Sequence, residues 1–519
     1  MKINKYFAIA FGVGLAVSLT SCHMDVTPDQ YVEVDNPEDI VSSELELESM
    51  RNGVYSSFRA TFYGANTEPS EVMCDGFNAT SDYGNNYGGI HRTDVSFTSS
   101  DNDTKALWAD MYGAITNYNI FITSATKFAN ATTDPKLKAK AQLYIGEALC
   151  FRAYSYMELV RHFAKAYNAS TASTDLGVPL VLAYNQQEKP HRATVAKVYE
   201  QIKKDLDQAS EYGISGVSGE VRSQYVTLDV LNMLYARYYL DIHEDQKAAE
   251  AAEEVILEAD NVGYALSQDG DAMANEYTYD NGTEAIMQLP ASLSEGGSGV
   301  NSCYTKYSSD DVFAQFNLPG GKVFAMPYFL PSQKLISMYK TSDLRFKQWF
   351  MKGYYALYLG GYITTSVYTF TRYNGNPELT SNGVPNARQK VKPFLLGEAY
   401  LIAAEGYLNS DPAKSKEYLN ALQEARKAKV TEATQQNLED EWFRETVGEG
   451  LRFSCLKRWG KGYTGRAVQS AASRAGMVYT GANYDKKSMA ADDVHWVWPI
   501  PAYEVKVNQS LENEQNPGY

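Results

Sequence analysis

The sequence predicts a mainly α-helical protein, a scaffold of paired helices carrying two elaborated loop regions, the second of them partly β. Three observations predict it. Ala139, Leu143, Gly146, Cys150, Ala153, Met157 and Val160 alternate spacings of four and three, the period of one helical face. Most of them are small, so a neighbouring helix can approach closely. Helix pairs then recur. Between Val226 and Asp260, the residues Ala236, Tyr239, Ala248, Ala252 and Val255 fall at offsets like the small and aromatic positions of a tetratricopeptide repeat. Leu396 to Lys429 repeats the pattern with Ala404, Tyr407, Leu419 and Leu422, broken at Ser410-Asp-Pro412. A generic helical hairpin accounts for each pair almost as well. Between Asp260 and Val391, finally, the helical rhythm largely stops.

The chain begins with Lys2 and Lys5, an apolar run from Phe7 to Leu19, and then Leu19-Thr-Ser-Cys22. A basic start, a short apolar core and small residues before a cysteine describe an export signal over residues 1–21. The run is too short to cross a bilayer, which takes ~20 apolar residues. Its ending is the lipobox pattern, in which Cys22 is acylated and becomes the first residue of the mature protein. Residues 22–43, polar and acidic with Pro28 and Pro37, read as a lipidated tether. A helical region is expected over 44–265 and a second region over 266–519, loop-rich to about 390 and helical from 391.

The first irregular stretch, Asn78 to Thr104, holds Tyr83, Asn85, Asn86, Tyr87, Gly88, Gly89, His91 and Arg92. The second, 267–330, is rich in Gly, Ser, Asn and Tyr, including Ser294-Glu-Gly-Gly-Ser-Gly299 and Leu318-Pro-Gly-Gly321. Residues 353–373 are β-branched and aromatic, hence strand-like. Loops held on a rigid scaffold are where binding residues concentrate.

Composition narrows the function. The 519 residues carry a net charge of −16, which argues against nucleic acid, whose phosphates need clustered basic residues. Forty tyrosines supply flat apolar rings with a polar handle, suited to stacking on sugars or peptides, although most are expected to pack between helices. Cys74, Cys150, Cys303 and Cys455 are too widely spaced to form a metal or disulfide framework. Cys150 and Cys455 fall in helical patterns, where a small buried hydrophobe is the expected role. The six histidines are scattered without a zinc helix. Neither a nucleophile elbow nor a phosphate loop is present. Neither a cofactor nor a metal is expected. Glu441, Glu445 and Glu449 share a helix face at spacings of four; pairing with nearby arginines, with Arg444, Arg452 and Arg458 available, is favoured over an acid–base site. Trp459, Trp496 and Trp498 read as core.

The segment Trp442-Phe-Arg-Glu-Thr-Val-Gly-Glu-Gly-Leu-Arg-Phe-Ser-Cys-Leu-Lys-Arg-Trp459 and the tail from Trp498-Pro-Ile-Pro to Asn516-Pro-Gly-Tyr519 together resemble the signature of the SusD/RagB family, surface nutrient-binding lipoproteins of Bacteroidetes. Cys150-Phe-Arg-Ala-Tyr-Ser-Tyr-Met-Glu-Leu-Val-Arg161 and Asp175-Leu-Gly-Val-Pro-Leu-Val181 resemble further family segments, as do Pro331-Ser-Gln-Lys-Leu-Ile336 and residues 395–429. Two departures stand out. Leu395-Leu-Gly-Glu398 lacks an arginine the family commonly has, and Cys455 stands where an aspartate is common.

The resemblance implies a tetratricopeptide-like helical repeat scaffold, with the ligand site on the loop-rich insertions. It implies a non-catalytic, surface-exposed lipoprotein, anchored to the outer membrane through Cys22 and facing the cell exterior. Such a protein captures a glycan or oligosaccharide and delivers it to a SusC-type TonB-dependent transporter; a peptide-binding RagB-like protein is the first alternative, a surface glycoside hydrolase the second. Loop aromatics carry the site in that family. The corresponding candidates here are Tyr83, Asn86, Tyr87, Tyr304 and Tyr307.

Overall fold

The structure is a computed structural model describing residues 37–293, 301–304, 327–357, 361–380, 386–474 and 476–519. Cys22, Tyr307 and most of the tether lie outside these residues. The last of the tether does not: Val41 is buried, and its N–H donates to Ser124 Oγ at 2.6 Å.

Helices begin where the sequence supplies caps. The first long helix, α1 (Glu44–Ala60), starts at Ser43, whose side chain accepts from Glu46 N. Glu46 in turn accepts from Ser42 N at 2.8 Å, so orphan amides at the helix start are satisfied from both directions. Asp101 caps α2 (Asn102–Ala131), Asp134 with Pro135 opens α3 (Pro135–Phe163), and Thr194 caps α4 (Val195–Glu211). The two expected pairs are α5 (Leu228–Asp241) with α6 (Asp245–Leu257), and α7 (Leu396–Gly406) with α8 (Pro412–Ala425). Ser410-Asp-Pro412 breaks the second pair as expected, because Asp411 becomes the cap of α8. The pairs stack through α6 and α7. Gly406 allows this approach: a Cβ there would lie 2.3 Å from Asp245 O and 2.8 Å from Ala249 Cβ. Then come α9 (Gln435–Glu445) and α10 (Leu451–Arg458).

The periodic face of α3 is only part of the story. Nearly every residue from Tyr144 to Phe163 is buried, whereas Ala139 is exposed and Leu143 half-buried. A helix apolar on all sides belongs in the centre of a large core, and α3 lies against both α2 and α4. It carries two deeply placed charges: Arg152 is held by Asp205 at 2.7 and 2.8 Å and by Asn119 Oδ1 at 2.8 Å, and Glu147 is held by Arg51 at 2.5 and 2.6 Å. The C-terminal end of α3 is met by Lys457, which donates to the carbonyls of Arg161 and Ala164, the placement a cation takes at a helix C-terminus.

The β structure is a set of small antiparallel pairs. Strand β1 (Phe77–Ala79) pairs with β3 (Phe329–Pro331), and β2 (Ala285–Leu289) with β6 (Val391–Leu395). The strand-like stretch near 353–373 is a hairpin of β4 (Phe350–Leu357) and β5 (Gly361–Phe370).

The acids of α9 and the turn after it do meet arginines, but mostly not the neighbours available along the chain. Glu441 binds Arg345 at 2.6 Å as well as Arg444, Glu445 binds Arg345 and Arg426, and Glu449 binds Arg372. Arg452 pairs instead with Asp75, and Arg458 with Glu405. Helix α9 faces inward, so its acids reach cations delivered by remote segments. Glu398, whose family arginine is missing, is held by Arg237 at 2.6 and 2.7 Å. Cys455 is buried like the other three described cysteines, all of them free. Trp496 and Trp498 are core; Trp459 is half-buried and donates to Glu405.

Candidate functional site

Three segments distant in sequence converge beside β1. Thr80 continues the strand, its N–H donating to Tyr328 O at 2.9 Å and its hydroxyl to Pro327 O at 2.8 Å. On the other side Ser81 N donates to Met477 O and Tyr479 N to Ala79 O. The loop after β1 is thereby bound to the start of β3 and to residues 477–484.

This junction gathers aromatic rings at the surface. Tyr479 and Tyr484 stack with centroids 5.0 Å apart and planes 20° apart. Tyr83 meets Tyr479 edge-on at 5.5 Å, and its hydroxyl lies 3.2 Å from that of Tyr484. Tyr479 is 42% exposed and Tyr484 half-buried, while Tyr83 is nearly covered. Arg92 donates to Tyr83 Oη at 2.6 Å and to Asn85 Oδ1 at 2.8 Å, and its other side is fixed by Asp94 at 2.6 Å. Burial pushes the Tyr83 phenol up, so it stays protonated and neutral.

The local sequence explains how the loop holds this shape. Gly84, Asn85, Tyr87 and Thr93 all have left-handed backbone, φ between 43° and 62°, conformations that Gly and Asn adopt most readily. Gly88 is required by space: a Cβ there would lie 2.1 Å from Asn85 Oδ1 and 2.8 Å from Arg92 Nη1.

The sequence-derived candidates fare differently. Tyr83 belongs to the cluster as its buried base. Asn86 is exposed beside it, its amide tied to Tyr83 O at 2.5 Å. Tyr87 is half-buried and turns inward, donating to Glu68 Oε2 at 2.7 Å. Tyr304 is fully buried among Phe77, Phe370 and Tyr373 and presents no ring face to solvent. Its segment turned inward because Glu68, buried below both loops, also accepts from Cys303 N at 2.8 Å. Tyr307 lies outside the described residues. Sequence reasoning missed Tyr479 and Tyr484, although Gly476-Met-Val-Tyr-Thr-Gly-Ala-Asn-Tyr484 has the same Gly, Asn and Tyr composition as residues 83–89.

The cluster offers an apolar stacking surface rimmed by hydroxyls and amides, the chemistry that holds a sugar ring or a peptide. Elsewhere Ser70 Oγ lies 2.8 Å from His162 Nε2, a pairing with the outline of a nucleophile and its base. Both are buried, burial pulls the His162 pKa down to about 4, and the adjoining cavity is only about 60 Å³, too small for a substrate. Among the described residues no group of three His, Cys, Asp or Glu side chains is placed to hold a metal ion.

Comparison with known proteins agrees with the architecture. No curated protein matches the chain. A SusD superfamily protein from Bacteroides thetaiotaomicron aligns over 91% of this chain and 99% of its own, with 22% identity and a TM-score of 0.70. A putative sugar-binding protein from Bacteroides vulgatus aligns over 93% and 100%, with 22% identity and a TM-score of 0.70. Surface glycan-binding protein A from Bacteroides thetaiotaomicron, in complex with laminarihexaose, aligns over 89% and 98%, with 18% identity and a TM-score of 0.65. At these identities the likeness is one of fold. Residues 23–229 match the family described as starch-binding, associating with outer membrane, and residues 253–519 match the SusD family. The chain therefore belongs to the SusD family.

Proposed function

We propose that the protein is a non-catalytic, surface-exposed lipoprotein that captures an oligosaccharide and passes it to a SusC-type TonB-dependent transporter of the outer membrane. The observation that carries the reading is the stacked, solvent-facing pair Tyr479–Tyr484 on the Tyr83–Arg92 base. Flat rings take the C–H faces of sugars, while Asn85 and Asn86 at the rim bond hydroxyls. Similar folds described as a laminarin-binding SusD-like protein and as a glycan-binding protein holding laminarihexaose support a glycan over a peptide. In this reading Cys22 carries the lipid and keeps the protein on the exterior face of the outer membrane. The transporter would dock on exposed helical surface, which leaves out α3 from Tyr144 onward because that stretch is buried.

Glycan and peptide arrays probed with the mature protein test the cargo, read for both retention and cleavage. Stoichiometric glycan retention without turnover is expected, and a Tyr479→Ala, Tyr484→Ala variant with an unchanged melting transition should lose it. Each ring is worth ~1–3 kcal/mol if it is a hot spot. Retention of peptides alone selects the RagB-like alternative; cleavage selects the hydrolase. A Cys22→Ala variant should incorporate no palmitate, and affinity purification from gently solubilised membranes should co-isolate a large barrel protein.

A further inference from the structure

A second recess lies on the described surface, of about 430 Å³, sharing no lining residue with the tyrosine cluster. Its walls come from four separate segments, three of them tied together by one buried carboxylate. Asp280 accepts from Lys392 Nζ at 2.5 Å, from Asn376 Nδ2 at 3.0 Å and from Lys390 N at 3.0 Å. Its carbonyl accepts from Gln288 Nε2 at 3.1 Å. The fourth wall is Arg222, fixed through its own N–H to Ala285 O at 2.7 Å. Both Arg222 and Asp280 hold left-handed backbone, φ +58° and +52°. Non-glycine residues keep that conformation where surrounding bonds over-determine it, a pattern concentrated at binding sites.

The lining is unlike that of a structural crevice. Tyr279 stands at the rim with 45% of its surface exposed, while its carbonyl is pinned by Asn376 Nδ2 at 3.1 Å. The Lys392 charge is consumed by Asp280. Among the described residues the Lys390 ammonium and the Glu378 carboxylate, both lining the recess, enter no ion pair. With Arg222 and Asn281 they present donors and an acceptor around one exposed ring. Arg222 Nη1 donates to the carbonyl of Gly282, so the remaining guanidinium N–H groups are the ones it offers. A flat apolar face flanked by hydrogen-bonding groups is the complement of a pyranose, which is apolar on its C–H face and polar around its edge. The volume sits within the range of small-ligand sites.

We propose that this recess is a second saccharide subsite, holding one or two sugar units on Tyr279 with Arg222, Lys390 and Glu378 on the hydroxyls. Two sites on one rigid body raise retention of a long chain through effective concentration, without either site binding tightly.

Crystals of the mature protein soaked in concentrated glucose, galactose, mannose or xylose test the proposal, because the two places are read independently. The expected result is sugar density against Tyr279 in at least one soak, absent from Tyr279→Ala crystals and retained in the Tyr479→Ala, Tyr484→Ala variant. Saturation-transfer NMR with the same sugars should show a signal in the double variant that Tyr279→Ala added to it removes. Density at Tyr479 and Tyr484 with none at Tyr279 in any soak overturns this inference and leaves the proposed function standing. Density at Tyr279 alone does the reverse. A recess filled only in crystals, with no NMR transfer at Tyr279, is binding at crystal concentration only and also overturns it.

Discussion

The guanidinium of Arg92 donates to the hydroxyl of Tyr83 at 2.6 Å, and that one bond joins the shape of a loop to the placement of a stacking surface. Asp94 and Asn85 hold the arginine, the arginine holds Tyr83, and Tyr83 sets Tyr479 and Tyr484 from beneath.

Tyr83→Phe should therefore weaken binding without changing a direct ligand contact. The ring packing stays, while the hydroxyl's bonds to Arg92, Asn85 and Tyr484 are lost, each worth roughly 0.5–1.5 kcal/mol. Calorimetry with the glycan identified on the array, alongside a thermal melt, measures it. Equal affinity in Tyr83→Phe would show that the hydroxyl does not position the rings.

Arg426 should be a keystone of stability. It is fully buried, holding Glu284 at 2.6 and 2.8 Å and Glu445 at 2.6 Å. Arg426→Ala leaves two carboxylates buried with their shared cation gone, which typically costs about 3–5 kcal/mol. Urea unfolding should place this variant far below Glu405→Gln, whose pair with Arg458 is less deeply enclosed.

Stability should rise steeply as pH is raised from about 2 to 5. Burial pushes the Asp75 and Glu441 carboxyls upward, but Arg452 beside the first and Arg345 and Arg444 beside the second outweigh it and hold both at about 2. Both folded values are depressed. The stabilisation is therefore full above the unfolded carboxylate range, near 4, and is lost as pH falls toward 2. Denaturation midpoints across that range measure it, and Asp75→Asn should flatten the slope.

Glu71 should act in the opposite direction. Burial raises its carboxyl to about 7, against the amides of Gly448 and Gly450; Oε2 accepts from Gly450 N at 3.0 Å, while among the described residues Oε1 meets no hydrogen-bond partner. A raised folded value means the stabilisation is present below about pH 4.5 and is lost as pH rises through 7. Glu71→Gln should remove that loss, on the order of 3 kcal/mol for the full shift. Parallel pH dependences for the two proteins between 5 and 8 would rule Glu71 out.

The sequence by itself determined the helical scaffold, the two helix pairs, the strand-like character of 353–373 and the family, because these rest on local signals. Periodicity, caps such as Asp411, and β-branched runs act within a few residues, and the Trp442–Trp459 signature is contiguous. It also identified the loop at 83–92 as aromatic and glycine-rich. Only the tertiary structure decided which aromatics reach solvent. Tyr304 and Tyr479 lie in segments of similar composition, yet one is sealed beneath Phe77 and Phe370 while the other is open. What separates them is long-range: the buried carboxylate of Glu68 draws Cys303 inward, and the pairing of Tyr479 N with Ala79 O lifts residues 477–484 to the surface edge of β1. Arg444 was legible as a partner of Glu441, but the other arginine partners of Glu441, Glu445 and Glu449 were hidden for the same reason. A charge buried in a core is neutralised by whatever cation the fold brings within bonding distance, and Arg345, Arg372 and Arg426 arrive from positions that no spacing along the chain records.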